Sequence, residues 1–399
     1  MTHHFFHSVD KSVDRSIEAE IIVVGAGLVG LAATIALAKQ GKKVVLVDAN
    51  KPDIKLKKAW DERVYALSPT TEAWLKQLDV WPHLDTSRIN HINAMHIWGA
   101  NSEIPLRLSE SDANLPKLGL IVENQNLMHA LWQQIKLLGV TVVTDGKCIG
   151  LDTTPLDIQL GLQGDITIVA KLIVAADGVN SWLRSQANIG VSHKNFHQTA
   201  IVANFSAEKN HANIARQWFA AHDTLALLPL PSQHVSMVWS VSTQKAAQLL
   251  LLSADELAKN VCGQSQGILG NLKPVSNTQS FELHQQTATK LIADRVVLVG
   301  DAAHQIHPMA GQGVNLGFRD VMKLDELTTN CQDVGDFNLL RKYERARVAD
   351  IATMTTLTTG LDGLFASDKT LVKKVTHWGL QQLNNQAAIK KLLILQAAA

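Results

Sequence analysis

A glycine-rich turn between two apolar segments constrains the fold of this chain most strongly. The β-branched run Glu20–Val24 predicts a buried strand, and Lys43–Val47 predicts a second one. Between them, Gly27–Gln40 has the composition of a buried helix. Residues 21–38 form an uncharged run as long as a membrane helix, but three glycines interrupt its start. A βαβ unit, and hence a parallel sheet with helices on its faces, is the better interpretation.

The glycine spacing in GAGLVG, residues 25–30, is typical of a dinucleotide site. The first glycine permits a tight turn, the second lets a pyrophosphate approach the backbone, and the third lets helix and strand pack closely. The helix N-terminus offers free N–H groups to phosphates. Asp48, at the end of the second strand, can accept hydrogen bonds from ribose hydroxyls. This motif does not separate FAD from NAD, and a glycine turn that binds nothing is the alternative.

The composition limits the class of protein. At 399 residues, with 46% hydrophobic and 18% charged residues, the chain suits two domains and is too apolar for disorder. A formal net charge of +1, without a block of like charges, argues against nucleic-acid binding. Cys148, Cys262 and Cys331 form no CxxC pair, and the first residues have no secretory signal pattern. A reducing cytoplasm is therefore expected.

Two further motifs follow the predicted strands Lys171–Ala175 and Arg295–Val299. The first is ADGVNSWLR over residues 176–184, and the second is GDAAHQIHPMAGQGVNLG over residues 300–317. In both, a strand ends near an aspartate and a turn into a helix follows. This arrangement places a carboxylate at the edge of a parallel sheet where ligands bind.

Together the three motifs resemble those of flavin-dependent aromatic hydroxylases with the p-hydroxybenzoate hydroxylase fold, and more narrowly the 2-polyprenylphenol hydroxylases of ubiquinone biosynthesis. The resemblance covers residues 20–365. It implies an α/β fold in which a discontinuous, Rossmann-like FAD-binding domain carries an inserted, mainly antiparallel β-sheet substrate domain and a helical C-terminus. The expected divisions are a disordered tail at 1–18, the FAD-binding domain at 19–90, 120–195 and 286–365, the substrate domain at 91–119 and 196–285, and a C-terminal helical segment at 366–399.

The resemblance assigns cofactor contacts to the first two motifs and to the chain between them. Gly25, Gly27 and Gly30 match the glycines under the FAD pyrophosphate, and Asp48 matches the acidic residue on the adenosine ribose. The remaining matches are Arg63, which touches the cofactor, Asn124, near the ribityl region, and Asp177 with Gly178, in a motif that handles both FAD and NAD(P)H.

The third motif matches residues around the flavin ring. Asp301 matches the aspartate on the ribityl chain. The loop of Gly311, Gly313, Val314 and Asn315 matches backbone N–H groups at the flavin N1/O2 edge, where they would stabilise negative charge. His307 and Pro308 are expected in the catalytic pocket beside the flavin.

Several of these residues have simpler interpretations. Arg63 is open to interpretation as a surface arginine, and Asn124 as a helix cap. His304 and His307 have a spacing that suits a metal pair, but no carboxylate or cysteine set completes the site, and no metal is expected.

The activity that the resemblance implies is hydroxylation of a polyprenylated phenol ring, with FAD as cofactor, NAD(P)H as electron donor and O2 as co-substrate, through a flavin C4a-hydroperoxide. A hydroxylase of a small soluble aromatic acid and a non-oxygenating flavin reductase of an isoprenoid are the alternatives. The expected substrate pocket lies between the flavin and the β-rich domain, walled by Trp218–Leu230, Val235–Trp239 and the His307–Gly311 loop.

The expected partner is a small lipophilic phenol, and no nucleic acid is expected. Contact with the inner face of a membrane, or assembly with other quinone-biosynthesis proteins, is left open, as is the oligomeric state. Thr370–Leu395 mixes apolar residues with lysines, which suits either an amphipathic membrane or partner surface or ordinary packing on the protein body.

Overall fold

The described chain forms four β-sheets with helices packed around them. The computed structural model describes residues 15–99, 104–220, 223–306, 313–365 and 384–398. The strands are, in chain order, β1 (Arg15–Glu18), β2 (Ile21–Val24), β3 (Val44–Val47), β4 (Val64–Leu67), β5 (Ile89–Ile92), β6 (Ala94–Trp98), β7 (Leu106–Ser109), β8 (Gly119–Glu123), β9 (Thr141–Val143), β10 (Cys148–Thr153), β11 (Ile158–Leu162), β12 (Ile166–Ala170), β13 (Leu172–Ala175), β14 (Val191–Ala207), β15 (Ile214–Ala220), β16 (Asp223–Leu230), β17 (His234–Ser242), β18 (Leu272–Pro274), β19 (Gln279–Ala288), β20 (Ile292–Ala293), β21 (Val296–Leu298) and β22 (His304–Gln305).

The helices follow the apolar patterns of the sequence. They are α1 (Leu28–Lys39), α2 (Pro69–Gln77), α3 (Glu110–Ala113), α4 (Asn124–Leu137), α5 (Trp182–Gln186), α6 (Thr243–Leu249), α7 (Ala254–Gln264), α8 (Gly313–Thr328), α9 (Phe337–Phe365) and α10 (Ala387–Ala398). No helix within the described ranges combines the length and the apolar character needed to cross a bilayer. The uncharged run at residues 21–38 is β2, the glycine turn and most of α1.

A six-stranded sheet carries the dinucleotide-binding half of the fold. Its order is β20-β21-β13-β2-β3-β9, and all neighbours except β20 and β21 run parallel. The strands β2, β3 and β13 are buried on both faces, which is why their sequences are continuous apolar runs instead of alternating ones. Helix α1 packs on β2 and β3 and against α4 and α8.

A nine-stranded, mainly antiparallel sheet forms the second half. Its order is β22-β19-β14-β17-β16-β15-β6-β7, with β18 paired to β14, and only β15 and β6 are parallel. One face packs under α6 and α7 around Phe205, Met237 and Trp239, where Trp98 and Trp218 stack with ring centroids 4.8 Å apart. In the sequence, its strands come between strands of the six-stranded sheet. The Rossmann-like FAD-binding domain is therefore discontinuous, and the antiparallel domain is inserted in it.

Two smaller sheets complete the described fold, and one of them contains a strand that was not expected. Their orders are β4-β8-β5 and β1-β12-β11-β10. Residues 15–18 were expected in a disordered tail, but they form β1, which pairs in parallel with β12 from Arg15↔Ile166 to Glu18↔Val169. β1 is held by its pairing with a strand that is distant in sequence and by the packing of Ile17 on the main core. Because neither contact is local, the sequence around residues 15–18 carries no signal for a strand. Residues 1–14 lie outside the described part of the chain.

The C-terminal helical segment is described only in part. Helix α10 contacts α3, and Lys390 Nζ lies 2.7 Å from Asp112 Oδ1. The expected amphipathic segment Thr370–Leu395 lies mostly at residues 366–383, outside the described residues, so its role stays a prediction.

Candidate active site

The three sequence motifs meet at one edge of the six-stranded sheet. In the parallel register, Val24 pairs with Ala175, and Ala175 pairs with Leu298. Each of these residues is the last of its strand, and a motif begins at or just after it. Because the carboxyl ends of neighbouring parallel strands lie side by side, motifs about 120 to 150 residues apart in sequence form one surface.

The glycine turn is shaped to leave room for a ligand. A Cβ on Gly25, which has φ of +106°, would lie 2.3 Å from the Ala176 carbonyl oxygen. A Cβ on Gly30 would lie 1.9 Å from the Gly25 oxygen, so both glycines are required by the protein's own packing. A Cβ on Gly27 would meet nothing within 4 Å, and Gly27 lines the cavity. The open approach at Gly27, next to an uncapped helix N-terminus, fits a pyrophosphate.

Asp48 supports this turn from the neighbouring strand. Its Oδ2 accepts a 2.6 Å hydrogen bond from the Ala26 N–H, and its Oδ1 accepts one of 2.8 Å from the Asn50 N–H. The carboxylate is half-buried and does not line the main cavity. It therefore holds the glycine turn, and its remaining lone pairs are available for ribose hydroxyls.

A cavity of about 1200 Å³ runs from the strand ends to the antiparallel sheet. Seven of the sequence-predicted residues line it: Gly27, Arg63, Asn124, Gly178, Asp301, Gly313 and Val314. Five other predicted residues do not line the cavity but support residues that do, and they are Gly25, Gly30, Asp48, Asp177 and Asn315. The volume exceeds that of a typical small-molecule pocket, so it suits a dinucleotide together with a second ligand.

Arg63, just before β4, and Asn124, the first residue of α4, line the cavity next to Tyr65. The Asn124 N–H donates to the Arg63 carbonyl at 2.9 Å, and the Tyr65 hydroxyl lies 3.5 Å from Asn124 Oδ1. The Arg63 guanidinium lies 5.8 Å from the ring centroids of both Tyr65 and Phe281. Arg63 is exposed and lines the cavity beside Tyr65, a residue that no sequence motif marks.

Asp301 lies at the boundary between protein and cavity. Asp301 is exposed, and it lines the cavity. Desolvation raises the pKa of Asp301 above its ordinary value, although His304 and Arg63 oppose the shift. A carboxyl group placed here can bond to the hydroxyls of a ribityl chain in either protonation state.

Asp177 serves the turn after β13 instead of facing the cavity. Its carboxylate accepts hydrogen bonds from Ser181 Oγ at 2.5 Å and from the Leu183 N–H at 3.1 Å. Arg184, in the same motif, donates to the Ala302 carbonyl at 2.9 Å. The second motif thus fixes its own turn and ties it to the third motif next to Asp301.

Asn315 fastens the start of α8 to β4 and α2. Its Oδ1 accepts hydrogen bonds from the Ser68 N–H at 3.0 Å and the Thr71 hydroxyl at 2.9 Å, while its Nδ2 donates to the Ala66 carbonyl at 2.7 Å. The side chain is buried. Its role is to position the helix N-terminus whose first residues, Gly313 and Val314, line the cavity.

Asn315→Ala is expected to lower the free energy of unfolding by about 2 to 3 kcal/mol, because it removes three hydrogen bonds, to the Ser68 N–H, the Thr71 hydroxyl and the Ala66 carbonyl. Chemical denaturation of the purified protein measures the loss. Asn260→Ala is the matched control, because Asn260 bonds from an exposed helix surface to the Glu256 carbonyl and should cost less than about 0.5 kcal/mol. Equal losses in the two variants would contradict the role of Asn315.

A buried ionic network forms hydrogen bonds with the third motif. Asp320 Oδ2 accepts from His304 Nε2 at 2.6 Å and from the Gly300 N–H at 2.9 Å, and its Oδ1 accepts from Arg347 Nε at 2.7 Å. Burial alone would raise the pKa of Asp320, but His304 and Arg347, with the Gly300 N–H, hold it below its ordinary value. No sequence motif marks this network, because Arg347 lies on a different helix from Asp320 and outside the three motifs.

The remaining predicted residues lie outside the described chain or in this network. His307, Pro308 and Gly311, and with them the expected His307–Gly311 wall, fall in residues 307–312, which the structure does not describe. His304 is engaged by Asp320. In the described ranges, no group of three or more His, Cys, Asp or Glu residues is placed to hold a metal ion.

The antiparallel sheet supplies the far wall of the cavity. Alternate residues of the expected wall segments face the cavity, among them Thr224, Ala226, Leu228 and Val238. Trp218, the first residue of one segment, lies on the other face of the sheet, in the core under α6 and α7.

Comparison with known proteins identifies the family of this arrangement. The model of the FAD binding domain family matches residues 18–358. The chain belongs to this FAD-binding family. The match spans both halves of the fold, and the glycine turn, Asp301 and the α8 N-terminus are the parts of the structure that fit the cofactor.

Relatives of this FAD-binding protein are hydroxylases. Ubiquinone hydroxylase UbiL of Rhodospirillum rubrum is 31% identical over 384 residues, which cover 95% of this chain and 89% of the relative. The 3-demethoxyubiquinol 3-hydroxylase of Escherichia coli is 32% identical over 353 residues, covering 87% and 89%. The crystal structure of p-nitrophenol 4-monooxygenase PnpA from Pseudomonas putida DLL-E4 matches the fold with a TM-score of 0.78, at 16% identity, over 96% of this chain and 99% of that one. The chain is a flavoprotein monooxygenase.

Proposed function

We propose that this protein hydroxylates the ring of a polyprenylated phenol in ubiquinone biosynthesis, using FAD, NAD(P)H and O2. The names of the two relatives described above support the choice of pathway. The observation that carries the proposal is the single cavity that joins the FAD-binding strand ends to the antiparallel sheet, because it brings a second ligand next to the cofactor.

The chain's own residues would bind the cofactor and keep water out. The α1 N-terminus at Gly27 would take the pyrophosphate, while Asp301 and Asn124 face the region expected for the ribityl chain. The N-terminus of α8 at Gly313 would stabilise negative charge. When bound, FAD supplies electron transfer from NAD(P)H and activation of O2. The apolar residues of the far wall, such as Leu228 and Val238, would exclude water from the reacting ring.

The far wall favours a neutral ring over an aromatic acid. The cavity-facing positions of β15, β16 and β17 carry no ionisable side chain that could pair with a carboxylate, whereas β14 contributes His193, beyond the irregularity in its pairing between Asn195 and Gln198. Arg216 borders the cavity, but strand alternation turns its side chain to the other face, where it donates to the His211 and Ile214 carbonyls at 3.0 Å. A benzoate placed against β15, β16 and β17 would therefore leave its charge unpaired.

The test combines purified protein with FAD, NADH or NADPH, and O2. A phenol with a short prenyl chain is expected to stimulate NAD(P)H oxidation and to yield a product one oxygen heavier by mass spectrometry. A hydroxybenzoate that stimulates turnover where the prenylated phenol does not would favour the aromatic-acid hydroxylase. Turnover of an isoprenoid without O2 would favour the reductase. In cells, deletion of the gene should make a quinone intermediate that lacks one ring hydroxyl accumulate.

For location, we propose a cytoplasmic protein that touches the inner face of a membrane. Helix α10 exposes Ile389, Leu392 and Leu395, with Lys391 also exposed, which suits the interface of an anionic bilayer. Co-sedimentation with liposomes of anionic and neutral lipid measures this contact, and equal recovery in the supernatant with and without liposomes would contradict it.

A further inference from the structure

The cavity face of the antiparallel sheet carries three neutral polar side chains among small and apolar ones. Strand alternation places these side chains on the same face. On the adjacent strands β14, β17, β16 and β15, the cavity-lining residues at these alternate positions are Ala200, Val202, Val238, Ser240, Thr224, Ala226, Leu228, Ala215 and Gln217.

Gln217 has the longest side chain of the three polar residues, and it is buried. It is only 6% exposed, yet it lines the cavity, and its carboxamide has no hydrogen-bond partner in the described chain. Its neighbours in the same row of the sheet are Ile97, Ala226 and Val238, which have apolar side chains. The carboxamide therefore has both its donor and its acceptor available to a ligand in the cavity.

Thr224 and Ser240 extend this polar group. They are directly opposed in the register of β16 and β17, and neither hydroxyl has a hydrogen-bond partner among the described residues. Gln217 pairs with Ala226, two residues along β16 from Thr224, so the three side chains are close neighbours on the face. The small side chains of Ala200 and Ala226 beside them leave space for a planar ring.

In the strand register, none of the three polar residues is opposed to an ionisable residue. Besides Arg216, the acidic, basic and histidine residues that line the cavity are on or next to other strands, or further along β14, and they are Glu62, Arg63, His193, Glu282, His284 and Asp301. Within this set, His284 Nε2 lies 3.1 Å from Glu282 Oε2. A carboxamide and two hydroxyls can both donate to and accept from neutral oxygen atoms. Their chemistry therefore suits phenol hydroxyls and ether oxygens on an uncharged ring.

We propose that Gln217 is a specificity-determining residue that binds an oxygen substituent of the substrate ring, with Thr224 and Ser240 available to a second one. Held by these contacts, the ring cannot rotate freely, and this decides which of its carbons faces the cofactor side of the cavity. The inference rests on the proposed function, since it assigns a contact to the phenol that the function requires.

The experiment measures ring binding to the FAD-loaded protein without NAD(P)H, from the change in flavin absorbance. The two probes are a phenol with a short prenyl chain and the same prenylated ring without its hydroxyl. Wild-type protein should bind the phenol about tenfold more tightly or better. Gln217→Met, close in size, should remove that preference by weakening the phenol alone. Gln159→Met, at an exposed position of β11, is the matched control and should keep the preference.

The outcomes separate the two proposals. Hydroxylation of the phenol by wild type together with an unchanged preference in Gln217→Met would overturn the role of Gln217 and leave the proposed function standing. Wild-type protein that neither binds nor hydroxylates the phenol would overturn the proposed function itself, and the inference with it. FAD content and melting temperature of each variant are measured first. Gln217→Leu replaces Gln217→Met in the comparison if methionine disturbs either.

Discussion

Asp320→Asn is expected to lower the free energy of unfolding by about 3 to 5 kcal/mol. The carboxylate accepts from three buried donors, on His304, Gly300 and Arg347, and an amide offers only one oxygen in place of two. The nitrogen of asparagine would face a donor, and Arg347 would lose one of its two carboxylate partners and keep only Asp350. Denaturant unfolding at neutral pH measures the loss. Because Gly300 precedes Asp301, FAD affinity should fall as well.

The control for this prediction is Glu326→Gln on the same helix. Glu326 forms an exposed ion pair with Lys323 at 2.6 Å, so its replacement should cost less than about 1 kcal/mol. The pH dependence adds a second check. Since the pKa of Asp320 is lowered in the folded protein, its contribution is complete above the unfolded value of about 3.9 and is lost as pH falls through the lower folded value. A stability difference between wild type and Asp320→Asn that does not shrink below about pH 4 would contradict this account.

Gly27→Ala is expected to weaken FAD binding by about thirtyfold, or about 2 kcal/mol, while it lowers the stability of the apoprotein by less than about 1 kcal/mol, because Gly27 is the N-cap of α1. Gly27 has φ of −74° and ψ of 178°, which alanine adopts freely, and its Cβ would meet no protein atom within 4 Å. The added methyl group would instead occupy the approach of the pyrophosphate to the helix N-terminus. Titration of apoprotein with FAD, followed by flavin fluorescence, measures the affinity.

Two other glycine variants serve as controls for this prediction. Gly150→Ala also meets open space, in a strand far from the glycine turn in sequence, and should leave both FAD affinity and stability unchanged. Gly30→Ala should destabilise the protein itself, because its Cβ would lie 1.9 Å from a backbone oxygen. If Gly27→Ala bound FAD as tightly as Gly150→Ala, the pyrophosphate would not lie at this turn.

The local sequence was sufficient for the elements that position the cofactor. β2, α1 and β3 lie within a few residues of the predicted bounds, because continuous burial leaves an uninterrupted apolar run and glycine marks the turn. The FAD-binding family followed from three motifs, each on its predicted element. The strand β1 was missed because four residues pair with a strand about 150 residues away.

Only the tertiary structure shows which side of its strand, helix or turn each site residue faces. Asp177 and Asn315 lie in the motifs as expected, but both side chains bond to neighbouring elements instead of lining the cavity. Gln217 and Asp320 belong to no motif that marked a function. Strand register places Gln217 beside the cavity. Helix packing places Asp320 between His304 and Arg347. The sequence by itself determined the family and the backbone elements, since these depend on local patterns. The polar partners depend on contacts between distant segments, so only the folded chain could assign them.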